Sequence, residues 1–224
     1  MHKVEVRQHI VDRVIARRKK YHWFTELDSS KTALVVIDMQ NTFCEPNSPA
    51  EVPQSREIVN PINKFAKSFR KKGGQVVWVL HANSQIGGKT DWELFFNNVV
   101  ADEAKDRTIA SLNPEKQKVW KDLIVEDRDI TIIKNRYSAL ISGSSSLERV
   151  LRNLGIDTIL IAGTKTNICC ESTARDGMML DFKIVMVEDC CAALSDDEHL
   201  ATLESIIQQF GDVRTSNSLL EILK

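Results

Sequence analysis

The segment Ala33-Leu34-Val35-Val36-Ile37-Asp38 decides the fold class of this 224-residue chain. An uninterrupted apolar run of this length is typical of a parallel strand that is buried on both faces. Similar runs follow at residues 75–80, 129–133, 157–162 and 183–187, with a short strand expected at 212–215. Helical patterns lie at residues 56–72, 145–154, 169–182 and 196–209. This alternation predicts an α/β, three-layer Rossmann-like fold, with a mostly parallel sheet of about six strands and helices on both faces.

Length and composition are those of one folded domain with a short extension. Hydrophobic residues make up 42% of the chain and charged residues 27%, which excludes disordered, collagen-like and coiled-coil chains. Apolar residues at helical spacing over residues 4–20 predict an amphipathic opening helix. We therefore expect an N-terminal helical extension over residues 1–30 and a main α/β domain over residues 31–224.

Positive and negative side chains are almost equal in number over the whole sequence. Lys and Arg number 30 against 31 Asp and Glu, and the net charge of -1 creates no overall field that would attract nucleic acid or anionic lipid. No apolar run approaches the roughly 18–20 residues that cross a bilayer, and no signal-peptide core is visible. We expect a cytoplasmic protein whose partner is a small molecule, with no nucleic acid and no membrane.

The five cysteines are Cys44 and two adjacent pairs, Cys169-Cys170 and Cys190-Cys191. Neighbouring cysteines rarely bridge each other, and an odd count leaves at least one thiol free. We expect free thiols in a reducing compartment. A zinc site is disfavoured because no C-x-x-C spacing is present.

Three reactive side chains stand where predicted strands end. Asp38 follows the first strand, Lys134 ends the third, and Cys169 follows the fourth after a short turn. Ligands of open α/β sheets bind outside the carboxyl ends of the strands, so an acid, an ammonium group and a thiol should converge there. Taken singly, each has a structural alternative, namely a capping carboxylate, a solvated lysine and a small buried hydrophobe.

Together, the three groups favour nucleophilic catalysis by the thiol. A carboxylate can accept the thiol proton, and a neighbouring cation favours the thiolate. The expected helix start at Cys169 should lower the pKa of the thiol further. The backbone N–H groups of the turn over residues 163–168 are candidate donors to the oxyanion of a tetrahedral intermediate.

Three motifs of this chain resemble those of the isochorismatase-like cysteine hydrolases. They are Val36-Ile37-Asp38-Met39-Gln40, Ile133-Lys134-Asn135-Arg136-Tyr137-Ser138, and the segment from Gly163-Thr164-Lys165-Thr166-Asn167-Ile168-Cys169-Cys170 to Asp176. The resemblance covers residues 31–223 and has the order Asp, Lys, Cys. This superfamily includes nicotinamidases, N-carbamoylsarcosine amidohydrolases, and ureidoacrylate and biuret hydrolases.

The resemblance implies a catalytic triad of Asp38, Lys134 and Cys169 and a homo-oligomer, a dimer or a tetramer. It also implies a cis peptide between Thr164 and Lys165, which would aim the N–H groups of Lys165 and Cys169 at the oxyanion. Asp38 would take the thiol proton, Cys169 would attack an amide or ureido carbonyl, and water would then release the product from a thioester. No cofactor is implied.

Departures from family patterns narrow the expected substrate. Nicotinamidases bind a metal through an Asp-x-His pair and a further His, whereas residues 41–55 here contain no histidine. True isochorismatases lack a thiol at the position of Cys169, so its presence favours hydrolysis of a C–N bond. The motifs look closest to the ureidoacrylate and N-carbamoyl branch, which favours a linear amide or ureido substrate without metal. The alternatives are a nicotinamidase-like amidase of a cyclic amide and a non-catalytic thiol or redox sensor or binding protein.

Several residues in the loops beside the crevice are candidates for substrate contact. They are Asn41, His81, Asn83, Trp92, Tyr137 and Lys165. For His81, a hydrogen-bonded histidine at a strand end is an equal alternative. Trp92 fits a helix packed on the core, or on a second subunit, as well as it fits a lid.

Overall fold

A parallel sheet of six strands forms the centre of the computed structural model, which describes residues 2–224. The strands of the chain are β1 (Thr32–Ile37), β2 (Gln75–His81), β3 (Gln85–Ile86), β4 (Lys89–Thr90), β5 (Ile130–Lys134), β6 (Thr158–Thr164), β7 (Lys183–Ala192) and β8 (Asp212–Arg214). The short strands β3 and β4 form an antiparallel hairpin, and the other six pair in the order β5-β2-β1-β6-β7-β8.

Helices cover both faces of this sheet. They are α1 (Gln8–Arg18), α2 (Asn41–Cys44), α3 (Val59–Lys71), α4 (Glu93–Asn98), α5 (Asp102–Ser111), α6 (Leu147–Asn153), α7 (Glu171–Met179), α8 (Asp196–Gln209) and α9 (Ser216–Ile222). Short 3-10 turns lie at Ser29–Lys31, Pro53–Ile58 and Pro114–Lys116, and a π-helical turn spans Thr166–Cys170. The expected α/β, three-layer Rossmann-like fold with about six parallel strands is confirmed.

The core has two halves, one on each face of the sheet. In β1, Ala33, Val35 and Ile37 face one half, while Leu34 and Val36 face the other. The opening helix packs on the first half through Ile10 and Val14. A strand buried on both faces gains from apolar residues at every position, which explains the unbroken run of β1.

Close contact between β1 and β6 depends on Gly163. This residue pairs with Ile37 and has a φ of +111°, and a Cβ at this position would lie 2.0 Å from the carbonyl oxygen of Ile37. Only glycine fits such an approach at this backbone angle. Gly163 therefore lets β6 pass close to the end of β1, where Asp38 follows Ile37.

Some element boundaries differ from those expected. The opening helix spans Gln8–Arg18 rather than residues 4–20, and β7 extends to Ala192. The helix expected at residues 169–182 is a π-helical turn followed by α7. No helix among residues 2–224 is both long and apolar enough to span a membrane. All five cysteines are free thiols, as expected.

Candidate active site

Asp38, Lys134 and Cys169 meet at the carboxyl edge of the sheet. Asp38 directly follows β1, Lys134 ends β5, and Cys169 lies in the π-helical turn after β6. Asp38 has a φ of +56°, a left-handed backbone conformation that aspartate tolerates better than most residues. Its N–H group donates to the carbonyl oxygen of Val79 at 2.8 Å, which fixes this turn against β2.

The lysine and the aspartate form a buried ion pair. The Nζ of Lys134 lies 2.9 Å from Oδ2 of Asp38, and the side chains are 0% and 1% exposed. The other carboxylate oxygen, Oδ1 of Asp38, is buried and has no hydrogen-bond partner among residues 2–224. An unpaired buried acceptor is costly, so Oδ1 is available to receive a proton.

The thiol lies next to this pair. One carboxylate oxygen of Asp38, one ring nitrogen of His81 and the Sγ of Cys169 all lie within 4.8 Å of one another. Cys169 is only 5% exposed, and it reaches solvent through a cavity at the edge of the sheet. Proton transfer from sulfur to carboxylate therefore requires only a short movement.

Burial controls the protonation of the three groups. It raises the pKa of Asp38, and Lys134 offsets part of that rise. Burial and the neighbouring carboxylate raise the pKa of Cys169 well above its usual value. Burial lowers the pKa of Lys134, but Asp38 and Cys169 together outweigh it, and the net shift is upward. These shifts favour the charged ammonium group of Lys134 and the neutral thiol of Cys169.

The expectation that Cys169 has a lowered pKa is wrong. Cys169 does not open an α-helix, because it lies at the fourth position of the π-helical turn Thr166–Cys170. Any helix-dipole effect is small, about 0.3–1 kcal/mol at an exposed terminus, whereas burial of a charged group shifts a pKa by several units. The thiolate therefore forms only as Asp38 takes the proton.

The turn before Cys169 is held by several hydrogen bonds. The peptide bond between Thr164 and Lys165 is cis, at the position implied by the resemblance. The carbonyl oxygen of Lys165 accepts from the N–H groups of Ile168 at 3.1 Å and Cys170 at 3.2 Å. Thr164 donates its hydroxyl to the carbonyl oxygen of Ala192 at 3.1 Å. These contacts fix the turn that carries the expected oxyanion donors, the N–H groups of Lys165 and Cys169.

A cavity of about 430 Å³ opens beside the sulfur. Its walls are mostly apolar. They come from the loop after β1, from the segment around α4 and α5, and from the turn that carries Cys169. They consist of Phe43, Pro49, Ala50, His81, Phe95, Val99, Val100, Ala101, Ala104, Thr108, Leu112, Tyr137, Lys165, Ile168 and Cys169. A small molecule bound in this cavity would lie next to Cys169.

The structure places three of the six expected substrate contacts in this cavity wall, namely His81, Tyr137 and Lys165. The other three lie elsewhere. Asn41 is exposed at the start of α2. Asn83 is buried and hydrogen-bonds within the protein, and Trp92 stacks on His81 with 6.0 Å between ring centroids.

Most residues of the cavity wall were not predicted from the sequence. The residues contributed by α5, Ala104 and Thr108, belong to the connection between β4 and β5, in which Trp92 was the expected contact. Also missed was the carbonyl oxygen of Arg136, which accepts from Nζ of Lys134 at 3.1 Å. A backbone acceptor carries no signal in the sequence, because every residue has one.

Asp38, His81 and Cys169 are also donor types that bind metal ions. The ammonium group of Lys134, however, lies 2.9 Å from Asp38 and 3.1 Å from Nδ1 of His81. A cation placed among these donors would compete with a charge of the same sign. The donor set therefore does not fit a metal ion.

Fold and site define an α/β protein with an acid, a lysine and a thiol at the carboxyl edge of a parallel sheet. Residues 32–218 match the family model of the Isochorismatase domain, so the chain belongs to the isochorismatase family of hydrolases. It is 33% identical over 204 residues to the uncharacterized isochorismatase family protein YecD of Escherichia coli O157:H7, covering 88% of this chain and 99% of that one.

Solved structures also resemble this chain in fold and, to a smaller degree, in sequence. A cysteine hydrolase from Pseudomonas syringae pv. phaseolicola 1448A has a TM-score of 0.76 at 26% identity and covers 91% of this chain and 97% of its own. The N-carbamoylsarcosine amidase of Thermoplasma acidophilum has a TM-score of 0.67 at 26% identity and covers 84% and 97%. The superfamily expected from the motifs, and with it the class of enzyme, is confirmed.

Proposed function

We propose that this protein is a cysteine amidohydrolase that cleaves a C–N bond of a small amide or ureido compound without a metal. The observation that carries the proposal is the free Oδ1 of Asp38 beside the buried thiol of Cys169, while Lys134 occupies the opposite oxygen. This arrangement supplies a base, a nucleophile and a fixed positive charge within one buried cluster.

The proposed reaction has two halves. Oδ1 of Asp38 takes the proton of Cys169 as the sulfur attacks the carbonyl carbon, and the oxyanion is received by the N–H groups of Lys165 and Cys169. The carbonyl re-forms, the C–N bond breaks, and Asp38 returns the proton to the leaving nitrogen. Asp38 then takes a proton from water as the water attacks the thioester. The C–S bond breaks, Asp38 returns this proton to the sulfur of Cys169, and the acid is released, or a carbamate from a ureido substrate.

A linear amide or ureido substrate remains the first choice. The names of the two structural neighbours, a cysteine hydrolase and an N-carbamoylsarcosine amidase, support chemistry at a carbamoyl or amide carbonyl. The apolar walls next to Cys169 support a substrate with a compact apolar portion. Lys165 is the cation in the cavity wall that has no ion-pair partner among residues 2–224, so an anionic group on the substrate would lie near it.

A thiol or redox sensor is the weaker alternative. Cys170, Cys190 and Cys191 are 0–1% exposed, and burial raises the pKa of both Cys170 and Cys190 well above the usual value. Reactive sensor thiols are exposed and have a low pKa. The geometry around Cys169 therefore supports hydrolysis better.

Ammonia release from a panel of linear amides, N-carbamoyl compounds and cyclic amides tests the proposal. Wild type should turn over at least one linear member, Cys169→Ala should turn over none, and the neighbouring Cys170→Ala should stay active as the matched control. Intact-mass spectrometry during turnover should show an acyl adduct that is absent in Cys169→Ala. Turnover by Cys169→Ala, or no turnover of any panel member by wild type, contradicts the proposal.

We also propose a homo-oligomer, a dimer or a tetramer. Ile86, Leu94 and Val99 are 75%, 76% and 65% exposed in the segment beside the cavity, an unusual exposure for large apolar side chains. Light scattering coupled to size exclusion measures the mass directly. A monomer at micromolar concentration would contradict this proposal.

A further inference from the structure

His81 and Lys134 are direct neighbours in the sheet. They are paired residues on the parallel strands β2 and β5, and each is the last residue of its strand. Nδ1 of His81 lies 3.1 Å from Nζ of Lys134. His81 is 4% exposed, so its ring is held inside the site rather than in solvent.

The three N–H bonds of the Lys134 ammonium group have three acceptors. These are Oδ2 of Asp38 at 2.9 Å, Nδ1 of His81 at 3.1 Å and the carbonyl oxygen of Arg136 at 3.1 Å. An ammonium group has three donors and no acceptor, so this set saturates it. With all donors used, Lys134 has none left for Oδ1 of Asp38.

The ammonium group also fixes the tautomer of His81. Since Lys134 can only donate, Nδ1 of His81 must be the unprotonated nitrogen, and the ring proton lies on Nε2. Nε2–H then donates to Oδ1 of Asn83 at 2.7 Å. The amide nitrogen of Asn83 in turn donates to Oδ1 of Asp91 at 2.7 Å. This series of hydrogen bonds ends at the carboxylate of Asp91, which can only accept. The side chains of Asn83 and His81 therefore each have a single orientation.

The surroundings of His81 keep its ring neutral. Burial is the main cause and the charge of Lys134 the second, and together they lower the pKa of His81 well below its usual value. Arg136 adds to this effect. The acidic groups nearby, Asp38 and the thiol of Cys169, already face Lys134.

We propose that His81 is a positioning residue. As a neutral acceptor held by Asn83 and Asp91, it keeps the third N–H of Lys134 away from Asp38. Oδ1 therefore remains free to receive the proton of Cys169. This proposal rests on the proposed function, since it assigns His81 a part in activating the same thiol.

Loss of the acceptor has a defined consequence. In His81→Leu the freed N–H of Lys134 turns to Oδ1 of Asp38 or to the sulfur. A second charge-assisted hydrogen bond would lower the pKa of Asp38 and weaken it as a base. A fall in kcat of about 10- to 100-fold is expected, because the weakened carboxylate takes the thiol proton less readily.

Two amide variants separate this role from simple packing. Asparagine places its oxygen where Nδ1 of His81 lies, whereas glutamine places its oxygen one bond further out, near the position of Nε2. His81→Asn should therefore recover at least about tenfold in kcat over His81→Leu and His81→Gln. The acid limb of the pH profile should move to lower pH in His81→Leu and stay near the wild-type position in His81→Asn.

Two readouts do not need a substrate, so they distinguish this proposal from the proposed function. The ¹⁵N shifts of labelled histidine, assigned by comparison with His81→Asn, should show a neutral Nε2–H ring for His81 from pH 5 to pH 9. The pH profile of Cys169 alkylation should differ between wild type and His81→Leu and be restored in His81→Asn. A protonated or Nδ1–H ring overturns the proposal, and so does equal alkylation reactivity of Cys169 in the three folded variants, whether or not the panel contains the substrate.

Discussion

Nζ of Lys134 lies 2.9 Å from Oδ2 of Asp38 in a site that excludes solvent from both side chains. A buried ion pair is costly to form, but it is more costly to break, since the remaining charge then has no partner. The pair thus couples the chemistry of the site to the stability of the sheet edge.

Activity should fall as the pH is lowered, with an acid limb above the ordinary aspartate value of about 3.9. Burial raises the pKa of Asp38, and the base must be ionised to accept the thiol proton. The same upward shift means that protonated Asp38 stabilises the fold at low pH and that this contribution is lost as the pH rises through the raised pKa. Profiles of kcat/KM against pH measure the limb, and a limb at or below pH 4 would refute the assignment.

Asp38→Asn should lower turnover by about a thousandfold or more, because the base is lost. Asparagine tolerates the φ of +56° at this position, so the backbone should hold. The unpaired Lys134 should cost about 3–5 kcal/mol of the free energy of unfolding. The double variant Asp38→Asn, Lys134→Met is the control, with the stability largely restored and the activity still absent. Activity in either variant would show that another group acts as the base.

Iodoacetamide should label Cys169 alone in the native protein. Cys169 borders the cavity, whereas the other four cysteines are buried away from it. Because its pKa is raised, the labelling rate should still increase above pH 9 rather than level off near neutrality. Peptide mass spectrometry locates the label, and rapid modification of Cys170 or Cys191 in folded protein would contradict the structure.

Gly163→Ala should prevent stable folding or lower the melting temperature strongly. The added Cβ would meet the carbonyl oxygen of Ile37 at 2.0 Å, and backbone cannot move aside in a central strand pair. Gly143→Ala is the matched control, since its φ of +79° is also left-handed but nothing lies within 4 Å of the new Cβ. The control should cost only about 1 kcal/mol. Equal melting temperatures of the two variants would be the contrary result.

Extended dialysis against a chelator should leave turnover unchanged. The ammonium group of Lys134 contacts both Asp38 and His81, so the donors that could hold a cation already share a positive charge. Turnover before and after dialysis, with zinc or manganese added back, checks this. A loss that one of these metals reverses would show that the site takes an ion.

The sequence predicted the meeting of Asp38, Lys134 and Cys169 because each directly ends or closely follows a parallel strand. It did not predict their proton affinities. The motif around Cys169 indicates a helix start, whereas the pKa depends on burial, which only the packed turn reveals.

The sequence also did not predict the role that we propose for His81. Its position at the end of β2 is visible in the sequence, but its partner depends on the register that aligns it with Lys134. A shift of one residue would turn the ring to the other face of the sheet. The cavity wall contributed by α5 was missed for a similar reason, since the path of a long connection is not set by local pattern.

Lys134 lies on β5, one of the two edge strands of the sheet. Only β2 separates this strand from β1. When the denatured chain is diluted into buffer, hydrolysis can therefore return only after this edge strand has docked on β2. Far-ultraviolet circular dichroism responds to the helices and the inner strands, so its signal should recover earlier than turnover. The delay between recovery of the circular dichroism signal and recovery of turnover would measure how slowly β5 docks on β2.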